Sequence, residues 1–507
     1  MNNNFVENNK WRLFQDNRGF YFSLLFISLA ALILMASSGA HNGLWNDEFA
    51  TIGSLRVNDV AFSDWIIGRQ GSGSVAGLNF YLVAARIWYT IVPLSDNWLL
   101  LMSEIMVAVS VYFVGMTGKI IRDNLCGILA AVLYAFSYPV FEIGHEFRFY
   151  PWLVLFTAAA LYYYCKTTME RVPGWRHIIL FGLAMGLASN GQILAGFLPV
   201  LLFIADCVLI KKKWKKIRVL LSYLIALPFA LLPVIASLKV FGNTYDEGVT
   251  YLANLGGASV SRLFGLVSNF WIREQILTGL ISFIAFALGL FIIYSFVRGQ
   301  RHSALGMPRQ QYLFSVCAVS PAACIISNYV LTKMTGEVAN IFSWRYFQYL
   351  YPLLFIAVSF ILVHAFEHMK IRPMQYTILV LGIALFLAAQ TYDLSYNNPK
   401  HAGIKPQTQW VIENADKIGE DALIVLPYYA TNRGEVIHRL YFDGKYPDKA
   451  IEPFPFNAIN DDTIAEISKK TIVTFGSIGY TDESVLSKYY SIAYKDEAMG
   501  ATVWKRE

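Results

Sequence analysis

The sequence predicts an α-helical polytopic membrane protein of about eleven spans, N-terminus inside and C-terminus outside, with a small C-terminal α/β domain. Three observations carry this prediction. The chain is 56% hydrophobic and 15% aromatic with only 15% charged residues, and its mean hydropathy of +0.45 would leave a soluble domain with large exposed apolar patches. Apolar runs long enough to cross a bilayer recur through residues 1–394. Short breaks rich in Lys and Arg recur between them, and such breaks mark the cytoplasmic side. The net charge of +6 therefore reports loop placement and implies no nucleic-acid partner.

The basic breaks set the topology. Lys10, Arg12 and Arg18 precede the first run; Lys119 and Arg122, then Lys166, Arg171 and Arg176, then "KKKWKKIR" from Lys211 to Arg218 follow. Arg298, Arg301 and Arg309, then Lys370 and Arg372, complete the series. With all of these inside, two crossings must separate each neighbouring pair. Spans are expected near 19–40, 98–118, 125–143, 149–166, 218–238, 276–298, 311–332, 346–366 and 374–392, with 177–210 split into two short helices at "SNGQ" (Ser189 to Gln192). Parity removes one further stretch, 79–94, which carries Arg86 at its centre and Pro93 near its end; it is expected as an amphipathic helix in the outer interface. The first span is read as an uncleaved anchor, although "SSGAH" also satisfies the small-residue rule of a signal peptidase.

Residues 1–394 then form the membrane module, with 41–97 as the first outer loop. Residues 395–507 form an outer α/β domain, in which "TQWVIENADKIGEDALIVLPYYATNRGEVIHRLYFDG" is expected as a helix, a short apolar strand and a second helix, with further strands in "TIVTFGSIGY", "YYSIAYKD" and "ATVWKRE". The five cysteines all lie in or beside apolar runs without CxxC spacing, so they are expected as buried small hydrophobes.

Several polar residues are out of place in this frame. Asp47 and Glu48, in "GLWNDEFATI", stand just past the outer end of the first span, where a carboxylate pair can meet a lipid-borne ligand. Asn46-Asp47-Glu48 also suits the first turn of a following helix, or plain loop charges. In "FEIGHEFRFYPWLVLF", His145, Glu146, Arg148 and Tyr150 crowd the outer entry of a span, one turn after Glu142. Ionisable groups there are costly unless paired or facing a polar cavity, and Glu146 and Arg148 could also neutralise each other. Arg345 and Tyr346, in "SWRYFQYLYPLL", enter a later span, where Arg345 could simply snorkel. Glu104 lies about two turns inside another span, as a site residue or as a partner for a buried arginine.

In this order and on this side of the membrane, the pieces resemble the GT-C class of membrane glycosyltransferases that use a polyprenyl-phosphate sugar, the group of protein mannosyltransferases and lipid A aminoarabinose transferases. "NDEFA" at Asn46 to Ala50 is similar to that group's Asp-Glu-Ala motif after the first span, with Phe49 inserted. "HEFRFY" at His145 to Tyr150 resembles its Gln-Glu-Ala-Arg-Pro-Tyr element, and "WRYFQYLYP" at Trp344 to Pro352 its Arg-Tyr element. Two features depart from the pattern. The His-Pro-Pro element before the interfacial helix reads "VAGLNFY", and the early Arg of the next span is replaced by the stretch holding Glu104.

The resemblance implies transfer of a sugar from a polyprenyl-phosphate donor to an acceptor hydroxyl on a glycan, lipid A or protein, at the periplasmic face of a bacterial inner membrane. Such a transfer needs a base at the acceptor hydroxyl and positive charge on the departing phosphate. By resemblance Asp47 is the base, and Glu48 and Glu146 orient acceptor or sugar. Arg148 and Arg345 clamp the phosphate, with Lys333 a further candidate, and His145, Tyr150, Tyr346 and Glu104 complete the binding set. No cofactor is required. A divalent metal held by paired carboxylates is compatible, but the scattered histidines offer no metal spacing. The reading of a different class is a flippase for lipid-linked saccharides, which would show repeated halves and polar residues at midplane.

Overall fold

The computed structural model describes residues 17–39, 44, 46–55, 79–170, 173–209, 217–232, 276–297, 308–334, 344–368, 404–419, 422–424, 470–475, 483–497 and 499–506. The expected span at 374–392 lies outside them. In chain order the helices are α1 (Asn17–Gly39), α2 (Asn46–Leu55), α3 (Asn79–Ile91), α4 (Asp96–Ile121), α5 (Asn124–Ala135), α6 (Tyr138–Gly144), α7 (Tyr150–Met169) and α8 (Trp175–Gly191). A 3-10 turn at Ile193–Gly196 leads into α9 (Phe197–Leu209), followed by α10 (Ile217–Leu232), α11 (Ile276–Val297) and α12 (Pro308–Met334). A second 3-10 segment, Trp344–Leu350, opens α13 (Tyr351–His368).

Among the described residues four helices are long and apolar enough to cross a membrane: α1, α4, α12 and α13. The pair α5 and α6 makes a fifth, bent by 63°. The chain is thus a multi-pass membrane protein. The run at 125–143 was expected as one span; Pro139 sits in the first turn of α6, and its missing N–H and fixed φ favour a helix start there over continuation. The run at 346–366 begins as a 3-10 segment, not as α-helix. The break at "SNGQ" falls at Gln192, with α8 extending through Asn190 and Gly191.

Small residues let the helices approach. A side chain at Gly127 on α5 would meet the Gly115 carbonyl of α4 at 2.5 Å, so the two backbones touch where only glycine fits. The two ends of the bundle are distinct. At one end Lys119 Nζ donates to Asn17 Oδ1 at 2.8 Å, and Arg122 pairs with Glu367 at 2.5 Å, joining α1, α4 and α13. Near that end the fully buried Asp206 of α9 accepts hydrogen bonds from Tyr164 (2.8 Å), Tyr312 (3.0 Å) and Tyr223 (2.7 Å), so one carboxylate ties α7, α9, α10 and α12. The five cysteines are free thiols, four of them buried.

The C-terminal part carries α14 (Ile404–Glu413), α15 (Ala415–Ile418), β1 (Ala422–Ile424), β2 (Thr471–Phe475), α16 (Glu483–Leu486), β3 (Ser491–Asp496) and β4 (Ala501–Lys505). The strands form one sheet in the order β1-β2-β4-β3, with β1 parallel to β2 and the other pairs antiparallel. β2 is buried along its length, whereas β3 is an edge strand with a register shift between Ile492 and Tyr494. Trp504 anchors the sheet, its indole N–H donating to Thr474 Oγ1 at 2.9 Å. Lys405 Nζ of α14 pairs with the buried Asp96 at 3.1 Å, joining this part to the start of α4.

Candidate active site

The end of the bundle away from Asn17 and Arg122 gathers the starts of α4 and α7, the end of α1, and helices α2 and α3. The turn from α6 to α7, residues 145–149, passes through its centre. Ser103 of α4 donates to the Glu146 carbonyl at 2.7 Å, and the Arg148 N–H donates to the same carbonyl at 2.8 Å, which curls the backbone tightly before Pro151 helps restart the helix. His145 faces two main-chain carbonyls, Phe141 at 2.8 Å through Nδ1 and Met35 at 3.0 Å through Nε2, and so pins the turn to the end of α1. Burial lowers its basicity, opposed by those two carbonyls and by Glu142.

Helix α2 lies against this turn. Asn46, Asp47 and Glu48 form its first turn, as the helix-start reading of that stretch allows. Glu48 is 1% exposed, and its carboxylate accepts the Phe147 N–H. One turn on, the buried Thr51 hydroxyl accepts from Arg148 Nη1 at 3.5 Å. Glu48 and Thr51, spaced i and i+3, thus share the face of α2 that meets the turn. Glu146 and Arg148 are 0% and 3% exposed, and the Arg148 guanidinium lies 5.4 Å from the Phe149 ring centroid.

Helix α3 closes the site. Its first turn is held by Asn190 of α8, whose Oδ1 accepts the Phe80 N–H at 3.0 Å while its Nδ2 donates to Phe229 of α10 at 3.3 Å. Arg86, the residue that marked this stretch as too polar to cross, donates to the Leu55 carbonyl and so caps the C-terminus of α2. Tyr81 points inward, edge-on to Trp152 at 6.4 Å and 2% exposed. Burial holds its phenol protonated, far above the ordinary tyrosine range; Arg148 opposes this and Glu48 and Glu146 reinforce it, so all four groups lie within electrostatic reach.

The structure therefore brings Glu48, Glu146 and Arg148 together, with Tyr150 buried at the start of α7 beside the Phe149 ring, 4.3 Å between centroids. His145 borders them but turns both ring nitrogens to main chain. Glu104 is buried on α4 beside Ser103 and makes no hydrogen bond or ion pair among the described residues, so none of their arginines is its partner. Tyr346 is half-buried in the second 3-10 segment. The side chains of Asp47, Lys333 and Arg345 lie outside the described part, although their backbones belong to α2, α12 and that 3-10 segment. Sequence reasoning missed Thr51, Tyr81 and Asn190; the i, i+3 spacing from Glu48 pointed to the first, and the break at "SNGQ" to the third. Among the described residues no three His, Cys, Asp or Glu groups converge to hold a metal.

No family model and no curated protein matches the sequence. Solved structures do match. The oligosaccharyltransferase of Archaeoglobus fulgidus, crystallised with Zn and sulfate, aligns over 96% of this chain and 73% of its own, with 13% identity and a TM-score of 0.52. Its apo form gives 12% identity and 0.50, over 95% and 74%. ArnT from Cupriavidus metallidurans, bound to undecaprenyl phosphate, aligns over 96% and 98% with 12% identity and a TM-score of 0.46. The chain has the fold of the archaeal oligosaccharyltransferase.

Proposed function

We propose that the protein transfers a sugar from a polyprenyl-phosphate donor to an acceptor hydroxyl on a cell-surface glycan, glycolipid or protein, at the periplasmic face of a bacterial inner membrane. The carrying observation is the convergence of Glu48, Glu146 and Arg148, none more than 3% exposed, from two segments at one end of an apolar bundle. Buried ionisable groups are expensive in a membrane protein, and where they converge they mark substrate or ion paths. The fold shared with an oligosaccharyltransferase supports the same reading.

The donor's isoprenoid stays in the bilayer while its phosphate and sugar reach the site. Asp47, in the first turn of α2, takes the proton from the acceptor hydroxyl, whose oxygen attacks the anomeric carbon. The bond from that carbon to the phosphate oxygen breaks, and the electron pair leaves with the phosphate. Arg148 and Arg345 meet the growing negative charge, since a guanidinium offers a fixed fork of donors. A single displacement inverts the anomeric centre and balances without a metal. Glu146 orients the acceptor or sugar. Glu48 acts as a positioning residue, because its carboxylate holds the amide next to Arg148.

The test is transfer from radiolabelled polyprenyl-phosphate sugars to a membrane glycan extract, by wild type and by Asp47→Asn of equal thermal stability. Loss of transfer in the variant alone is expected, and the labelled product names the sugar and acceptor. Equal transfer by both would leave Asp47 a helix-start charge, and no transfer by either from any donor would overturn the reading.

A further inference from the structure

Tyr81 takes part in no step above, yet it stands among the charges that would. We infer that the Tyr81 hydroxyl donates a hydrogen bond to the phosphate of the lipid-linked donor, alongside Arg148. The inference rests on the lipid-phosphate reading of the site and adds Tyr81, the last residue of "VAGLNFY", to the residues that hold the donor.

Three observations carry it. The Tyr81 ring is 2% exposed, and its hydroxyl has no hydrogen-bond partner among the described residues, although a buried O–H ordinarily finds one. The ring is fixed from both sides: edge-on contact with Trp152, itself held by a 2.8 Å bond from its indole N–H to the Leu187 carbonyl, and the Phe80 amide bonded to Asn190. The hydroxyl is therefore aimed by structure and not left over from loose packing. Third, Tyr81 lies within electrostatic reach of Arg148, Glu48 and Glu146.

The chemistry of these neighbours sorts the ligand. Sugar and acceptor hydroxyls are donors, and the carboxylates serve them. An anion needs donors, and here those are the guanidinium of Arg148 and a phenol whose proton stays in place. A phosphate set between them would satisfy the stranded O–H and share the charge of Arg148. The position also suits a lipid-borne group, because α3 is an apolar helix too short to span, and its outward residues Ile87 and Ile91 are exposed.

The experiment compares binding of undecaprenyl phosphate and of undecaprenol to purified protein in nanodiscs, for wild type and Tyr81→Phe, with thermal unfolding measured on both. Phenylalanine keeps the ring against Trp152 and removes only the hydroxyl, so the unfolding temperature is expected to hold or rise slightly. Undecaprenyl phosphate is expected to bind the variant about tenfold more weakly, while undecaprenol binds both proteins alike. If the variant binds the phosphate as tightly as wild type and wild type still prefers phosphate to alcohol, the role of Tyr81 is overturned and the donor reading stands. If wild type shows no preference for the phosphate, the donor reading falls and this inference with it.

Discussion

Replacing Glu48 with alanine or with glutamine separates positioning from catalysis. The carboxylate is 1% exposed and accepts the Phe147 N–H, a charge-assisted bond of about 1.5–3 kcal/mol. Alanine strands that buried amide, at about 1–3 kcal/mol, and leaves a void that adds roughly 1–2 kcal/mol more. Glutamine keeps an oxygen acceptor in place and gives up mainly the charge, roughly half of the bond. Unfolding in detergent is therefore expected in the order wild type, Glu48→Gln, Glu48→Ala, with the alanine variant lower by about 2–5 kcal/mol. Because Phe147 adjoins Arg148, the same order is expected in transfer from a polyprenyl-phosphate sugar, with KM for the donor rising before kcat falls. A carboxylate that touched the reacting atoms would behave differently: Glu48→Gln would fold normally and be as inactive as alanine. That pattern, or an alanine variant as stable and active as wild type, refutes the reasoning.

Asn190→Ala removes the acceptor of the Phe80 N–H and the donor to Phe229, a loss of about 1–3 kcal/mol. Faster hydrogen exchange across 80–91 and weaker transfer are expected, and unchanged exchange there would show that α3 is held by other contacts. Asp206→Asn leaves three tyrosine hydroxyls competing for one amide oxygen. It is expected to lower stability by a few kcal/mol while transfer per folded molecule stays at the wild-type level, since Asp206 stands at the opposite end of the bundle. A fall in kcat at equal folding would refute that separation.

How far the sequence reveals these features depends on what each one costs. Helix positions were legible because an apolar run bounded by Lys and Arg has few alternatives in a bilayer: α1 occupies Asn17–Gly39 against an expected 19–40, and α4 Asp96–Ile121 against 98–118. The bend between α5 and α6 and the 3-10 start of α13 were not, since hydropathy sets where a span lies and not how its backbone breaks, even where Pro139 marks the bend. In the site, Glu146 and Arg148 declared themselves by the expense of burying charge. Thr51 and Tyr81 did not, because a hydroxyl on a short helix is ordinary until the tertiary fold buries it. Glu48 was legible as an acid out of place beside the first span but neither in its burial nor in its task, since a carboxylate bonded to a main-chain amide carries no partner residue in the sequence.

That last point extends to much of the site. Several of the contacts that assemble it run from side chain to main chain: Glu48 to the Phe147 amide, Arg86 to the Leu55 carbonyl, Asn190 to the Phe80 amide, Ser103 to the Glu146 carbonyl, His145 to Met35 and Phe141. Any residue supplies a main-chain group, so each contact constrains one side of the pair and leaves the other free to vary. Geometry can then persist while sequence drifts, in keeping with a shared fold at 13% identity. The constraint reappears where the main-chain group itself is spent. Proline at position 80 would delete the donor that Asn190 takes up, so a chain that fixes α3 through Asn190 excludes proline there.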